Sequence, residues 1–221
     1  MAFAVTIASF AAEVFAWVVA PARCAACDVL VTPLSVFCAP CASTSERMQQ
    51  NDASCTAGFV YGGAVARAIV RLKYDRRPDL ARPLGDLLWR ALQSNSTRLR
   101  GCRVVPIPLH VSRLAERGFN QSALIARRVA HRLDAPLLPL ALVRTRDTPR
   151  QAALDREARI ANVAGAFRVR QGERVRGRAV LLIDDVRTTG ATMNACARAL
   201  MDAGAASVGQ AVVACVRAGG T

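Results

Sequence analysis

Two adjacent carboxylates at the end of an apolar run are the first residues whose types and spacing point to chemistry. Residues 179–192 read A-V-L-L-I-D-D-V-R-T-T-G-A-T, and an apolar-periodic stretch over 193–203 follows. A continuous apolar run such as 180–183 marks a parallel strand buried on both faces. Thr188, Thr189, Gly190, Ala191 and Thr192 then fall at the mouth of a helix. A helix N-terminus presents unpaired N–H groups and the positive end of a dipole, which suits a phosphate. Gly190 lets the backbone come close to it. Asp184 and Asp185 stand one step earlier, where the hydroxyls of an attached sugar would lie. An acid pair for a diol beside a phosphate cradle, with Arg187 in the same stretch, points to a phosphorylated ribose. Asp184 and Asp185 are the candidate catalytic residues. The bland alternative is a strand and a helix meeting at an acidic corner. It leaves the joint occurrence of acid pair, Thr-Thr-Gly and terminal Thr unexplained.

A second chemistry lies near the start of the chain. Cys24-x2-Cys27 and Cys38-x2-Cys41 are separated by ten residues. Two tight knuckles supply four thiolates, the ligand set of a tetrahedral Zn²⁺ site, and such a site is structural because no ligand position stays open. The ten intervening residues, with Pro33, can make a small hairpin. The alternative is two redox pairs or four reduced structural cysteines. Cys55, Cys102, Cys196 and Cys215 are scattered singly and act as small apolar residues. Paired CxxC with scattered singles fits a reducing compartment, the cytoplasm, better than a disulfide framework.

Positioning these residues falls to alternating strand-like and helix-like stretches. Phe59-Val60-Tyr61 before Gly62-Gly63 reads as a short strand and turn. Residues 64–74 carry Val65, Ile69 and Leu72 at helical spacing, with Lys73 near the end. Pro78 and Pro83 mark helix boundaries, and a second helix is expected over 84–92. Residues 103–108 form a core strand that its own prolines end. A helix is expected over 122–133 and a strand over 136–143. A polar, Arg-rich loop over 144–159 would hang above the site. Strands at 166–169 and 207–216 complete the pattern, with an Arg-rich turn at 171–177 between them. Such alternation implies an α/β parallel sheet, with ligands at the strands' carboxyl ends.

The rest of the chain bounds this reading. Of 221 residues, 52% are hydrophobic, enough for a substantial core, so disorder does not dominate. Residues 2–20 form a long apolar stretch with one charge, Glu13. No Lys or Arg precedes them, so a signal peptide's positive start is missing. A glutamate inside a span would cost about 2.5–3.5 kcal/mol by analogy with Asp. Phe3, Ile7, Phe10, Val14 and Val18 make a helical stripe, with Thr6, Ser9 and Glu13 opposite. An amphipathic helix packed on the body is expected rather than a transmembrane span, with peripheral membrane contact as the other reading. The net charge is +14, and residues 98–178 hold eighteen arginines against six acids. Genome composition can set the preference for Arg over the single lysine, Lys73, but not the excess of base over acid. A polyanionic partner follows, either a nucleic acid or a phosphorylated substrate.

Asp184 through Thr192, D-D-V-R-T-T-G-A-T, resembles the ribose-phosphate signature of the type I phosphoribosyltransferases. The order of features along most of the chain resembles one branch of these proteins, the ComF family linked with natural competence and DNA uptake. The matching pieces are the two CxxC pairs, Leu72-Lys73-Tyr74, Val105-Pro106-Ile107-Pro108 and Arg117-Gly118-Phe119-Asn120-Gln121. They continue with Gln151, Arg159 and Asn162 and end with the acid-pair stretch. The resemblance implies a type I phosphoribosyltransferase-like parallel sheet flanked by helices, with a small N-terminal four-cysteine zinc-ribbon-like module. The expected division is an amphipathic helix at 1–20, the module and a polar linker at 21–56, and the phosphoribosyltransferase-like domain at 57–221.

By the same resemblance the ligand is phosphoribosyl pyrophosphate or a related ribose phosphate, with Mg²⁺ bound to it. The implied role is handling incoming single-stranded DNA, with a competence helicase or the uptake machinery as partner. Mg²⁺ would be held mainly by the ligand's own oxygens, with modest help from carboxylates. Lys73, His110, Arg113, Arg117, Asn120, Gln121 and Arg159 are candidates for contact with pyrophosphate or DNA. Taken alone, each of these cations is an ordinary surface charge and His110 is equally a structural residue. Stacking on a single strand needs exposed aromatics, for which Tyr74 and Phe119 are the candidates. Two other functions stay open: an active phosphoribosyltransferase in nucleotide salvage, and a non-catalytic sensor of phosphoribosyl pyrophosphate.

Overall fold

The computed structural model of the chain describes residues 21–49, 55–147 and 165–217. The expected helix over 1–20, and Gln151, Arg159 and Asn162, lie outside the described residues. In chain order the elements are α1 (Ala39–Ala42), β1 (Cys55–Val60), α2 (Gly63–Tyr74), α3 (Ala81–Leu92), β2 (Arg103–Pro106), α4 (Val111–Arg117), α5 (Gln121–Leu133), β3 (Leu142–Arg144), β4 (Phe167–Val169), α6 (Gly172–Val175), β5 (Ala179–Arg187), α7 (Ala191–Asp202) and β6 (Ser207–Cys215).

A four-stranded parallel sheet, ordered β1-β6-β5-β2, runs through the middle. Strand alternation sorts its side chains into two cores. Val104, Leu181, Ile183, Ala211 and Val213 face one way, onto Ile69 and Leu72 of α2, Leu84 and Leu88 of α3, and Ile125 and Val129 of α5. Val105, Val180, Leu182 and Val212 face the other way, onto Met193, Cys196 and Leu200 of α7 and the β3–β4 pair. Burial on both faces explains the unbroken apolar run of β5. It also explains the stripe of α2, where Val65, Ala68, Ile69 and Leu72 are buried.

The chain leaves β2 toward the α5 side of the sheet and β5 toward the α7 side. Adjacent parallel strands whose connections depart to opposite faces leave a crevice at their carboxyl ends, the usual ligand position in such sheets. Asp184 and Asp185 lie there.

The structure departs from the sequence expectations at definable points. β5 continues through both aspartates to Arg187, because β6 pairs with it as far as Arg187↔Cys215 while β2 stops at Pro106↔Ile183. The aspartates are therefore inside a strand that has lost one neighbour, rather than past its end. The strand expected over 136–143 is split. Leu137 bridges Val104 in parallel, and Leu142–Arg144 pairs antiparallel with β4. Pro139 lies between them and cannot donate to a ladder. α3 starts at Ala81, ahead of Pro83, which sits in the first turn where its missing N–H costs nothing.

The polar linker is partly an edge cover. Arg47 bridges Phe59, and Val60 N–H donates to Glu46 O at 2.9 Å. Cys55 and Thr56, assigned to that linker, begin β1 opposite Gln210 and Ala211. Covering an open strand edge in this way satisfies its backbone groups. Among the described residues, no helix is long and apolar enough to cross a membrane.

Candidate functional site

The floor of the crevice is the acid pair, and its two members differ. Asp185 points to the α2 side, is 3% exposed, and forms an ion pair with Lys73 Nζ at the end of α2. Burial disfavours the Lys73 ammonium, but the Asp185 carboxylate outweighs it and Asp184 adds to the effect, so the lysine's pKa rises. Asp184 is half-buried. Its Oδ1 accepts from Ser122 Oγ at 2.6 Å and from the Asp185 N–H at 2.9 Å. Burial, with the charge of Asp185 next to it, pushes the Asp184 carboxyl up to about 7. One carboxylate is thus committed to a lysine, and the other is partly open and titrates near neutrality. Nothing in the sequence alone singles out Ser122. It lies one residue beyond the Arg117–Gln121 run, in the first turn of α5, where a hydroxyl can reach the end of a neighbouring strand.

The α7 mouth has the conformation expected of it. Gly190 is the N-cap with φ of +78°, a left-handed value that other residues adopt at a cost. A Cβ there would lie 2.8 Å from Arg187 Nε, so glycine also makes room for the Arg187 guanidinium over the turn. Thr189 Oγ1 accepts from Ala191 N–H at 3.4 Å, Thr188 is exposed, and Thr192 is half-buried in the first turn.

Between β2 and α5 comes α4, a seven-residue helix with no buried residue. His110 caps its N-terminus. His110 Nδ1 lies 2.9 Å from Ser112 Oγ, which donates to Asp147 Oδ2 at 2.6 Å. That hydroxyl, helped by His110, Arg113 and Arg144, holds the Asp147 carboxyl below its ordinary range. His110 is therefore part of a local network joining α4 to the end of the β3 segment. Arg144 is pushed down by burial and by Arg113, and its guanidinium sits 5.7 Å from the Phe167 ring centroid. The sequence places Arg144 in a loop over the site without marking it as a site residue. Asn120 caps α5, accepting from Ser122 and Ala123 N–H at 3.0 and 3.3 Å, and its Nδ2 donates to Ile107 O at 3.0 Å. It fixes α5 to the end of β2. Gln121 is 5% exposed and accepts from Arg117. Of the sequence candidates, Lys73 touches the acid pair directly, Arg117, Asn120 and Gln121 cluster at the start of α5 next to Ser122, and Arg113 acts electrostatically on Arg144 and Asp147. Arg159 lies outside the described residues.

The four cysteine sulfurs of Cys24, Cys27, Cys38 and Cys41 all lie within 4.8 Å of one another, with Cys27 and Cys38 at 3.7 Å. A tetrahedron with Zn–S of about 2.3 Å has edges of about 3.8 Å, so the cluster fits Zn²⁺. Burial works against ionising Cys24, but backbone amides of Cys38, Ala26 and Cys27 hold its pKa down to about 6. The hairpin forms around the first knuckle, where Cys24 N–H donates to Val29 O at 2.8 Å and Arg23 bridges Leu30, and not between the two pairs. α2 carries the cluster on its flank. Arg71 and Arg77 pair with Asp28, Arg67 donates to Cys41 Sγ at 3.6 Å, and Thr44 Oγ1 accepts from Ala64 N–H at 3.0 Å.

A family model described as "Phosphoribosyl transferase domain" matches residues 120–220, which include α5, the acid pair and the α7 mouth. The fold and this match define a type I phosphoribosyltransferase-like domain. The chain is 35% identical over 152 residues to the DNA utilization protein YhgH of Escherichia coli K12, a match covering 67% of this chain and 66% of that protein. It is 30% identical over 141 residues to Competence protein F of Haemophilus influenzae, covering 62% and 61%. It is 33% identical over 104 residues to Competence protein ComFC of Bacillus subtilis, covering 47% and 40%. These relatives support a place for the chain in the ComF family. Its match spans just under two thirds of the length of the E. coli relative.

Proposed function

We propose that the crevice between the carboxyl ends of β2 and β5 binds phosphoribosyl pyrophosphate or a related ribose phosphate, and that the protein handles single-stranded DNA during natural transformation in the cytoplasm. The observation that carries the ligand is the half-buried Asp184 beside the Gly190-capped start of α7, at the point where the sheet's connections part. The first N–H groups of α7 take the 5-phosphate, and Asp184 accepts from the ribose hydroxyls. Lys73 and the arginines of α4 flank the position of the pyrophosphate. Mg²⁺ entering with the ligand would supply further charge neutralisation, and Asp184 would help to hold it. The DNA role draws support from the net charge of +14 and from the names of the relatives.

Calorimetric titration with phosphoribosyl pyrophosphate and Mg²⁺ tests the pocket. Saturable binding that is lost in Asp184→Asn is expected, and no heat with the wild type would remove the reading. For DNA, affinity for a single-stranded oligonucleotide should fall steeply with salt. An affinity that ignores salt would count against the charge-driven part.

A second reading is transfer of the ribosyl phosphate to an acceptor base. One observation favours it: Asp184 titrates near neutrality, where a carboxylate serves as a general base. In that reaction the C1–oxygen bond to pyrophosphate breaks and a C1–nitrogen bond forms, with the base's proton passing to Asp184. Pyrophosphate release across a panel of bases would support it, and silence across the panel would leave binding alone.

A further inference from the structure

Single-strand binding by charge alone leaves the bases unread, and one feature at the crevice margin is built for a base. Tyr74 is the last residue of α2, directly after Lys73, and is 61% exposed. Among the described residues it is the most exposed aromatic; Phe119 and Trp89 pack against the core. The Arg117 guanidinium lies 5.5 Å from the Tyr74 ring centroid, in cation–π range. Arg117 is not loose. It donates to Gln121, which is 5% exposed and sits at the start of α5. A buried amide therefore aims the guanidinium, and the guanidinium holds the ring.

We propose that Tyr74 and Arg117, aimed by Gln121, form a stacking platform for one base of a single-stranded DNA whose adjacent sugar-phosphate lies along the crevice. This rests on the single-strand reading above and assigns its base contact. Every nucleobase offers a flat π-face, so the platform tolerates any sequence. A tyrosine has few rotatable bonds and loses little freedom on stacking, and Arg117 reduces that loss further. The platform follows Lys73 in the chain by a single residue. Lys73 pairs with Asp185, so a base on the platform lies beside the acid pair at the crevice. Phosphoribosyl pyrophosphate has no base and gains nothing from Tyr74.

The test compares two labelled strands of equal length and charge at low salt, an oligothymidylate and its abasic counterpart, by fluorescence anisotropy. The wild type should bind the oligothymidylate more tightly. Tyr74→Ala should weaken oligothymidylate binding by about 5- to 150-fold while leaving abasic binding unchanged. Tyr74→Phe should keep the wild-type preference. Equal binding of the two strands by the wild type overturns the platform and spares the single-strand reading. An equal loss of both strands in Tyr74→Ala, or loss of the preference in Tyr74→Phe, also overturns it, since neither follows from ring stacking. If the wild type binds neither strand, the single-strand reading itself fails, and the platform with it.

Discussion

Asp184 and Asp185 are neighbours in sequence with opposite assignments in space, because successive strand residues point to opposite faces. Asp185 is neutralised by Lys73, a buried pair whose separation would leave an uncompensated charge. Asp184 keeps its proton to about pH 7 in the folded chain, against 3.8 for the ordinary carboxyl. Its folded pKa lies above its unfolded one, so the proton stabilises the fold fully below about pH 4. That contribution is lost as pH rises through about 7. The thermal midpoint of the wild type should therefore drop between pH 5 and pH 8, and Asp184→Asn should flatten the drop. Ligand affinity should move the other way. The ribose hydroxyls donate to an ionised Asp184, so titration with phosphoribosyl pyrophosphate and Mg²⁺ should tighten from pH 6 to pH 8. A wild-type midpoint with the same pH slope as Asp184→Asn would show that the group does not titrate in this window.

At the scale of elements, the α7 mouth decides whether a phosphate can be held. Gly190→Ala would force a Cβ into a left-handed position and toward the Arg187 guanidinium. We expect about 1–2 kcal/mol of lost stability, read by urea unfolding, together with a large loss of ribose-phosphate affinity. Retained affinity in the variant would place the phosphate elsewhere. This turn was legible in the sequence because glycine, threonines and an apolar-periodic stretch come in order. The two-sided burial of β5 was legible too, from its unbroken apolar run. Other parts were not legible, for physical reasons. α4 buries nothing, so it leaves no apolar stripe, and only its caps, His110 and Gly118 with φ of +81°, define it. The extension of β5 past its apolar run depends on β6, whose pairing has no local signal. The split of 136–143 was signalled by Pro139 but outweighed by the surrounding leucines. Ser122 becomes visible only when α5 is set against β5. The separation of Asp184 from Asp185 requires Lys73 to arrive from a helix more than one hundred residues earlier in the chain.

For the whole molecule, the cysteine cluster and the crevice share one helix, so the metal should matter to the ligand. Asp28, one residue past Cys27, is pinned by Arg71 and Arg77. Burial pushes its carboxyl up, but those arginines outweigh burial and hold it below the ordinary range. Ala25, inside the first knuckle, belongs to the same core as Ile69 and Leu72. Thr44, after the second knuckle, caps the start of α2. Lys73 stands two residues beyond Arg71 on that helix. Losing a Zn²⁺ held by the four thiolates would remove binding energy that helps fold the knuckles. α2 would then lose its cap and its flank, and Lys73 its fixed approach to Asp185. Chelation of the purified protein, or Cys38→Ser, should lower the thermal midpoint and weaken phosphoribosyl pyrophosphate binding together. Arg71→Ala should retain zinc, measured by metal analysis, while weakening the ligand, because it cuts one tie between cluster and helix, the Asp28 pair, without touching the sulfurs. A chelated protein that binds the ligand with full affinity would show that α2 holds Lys73 in place through the sheet core alone.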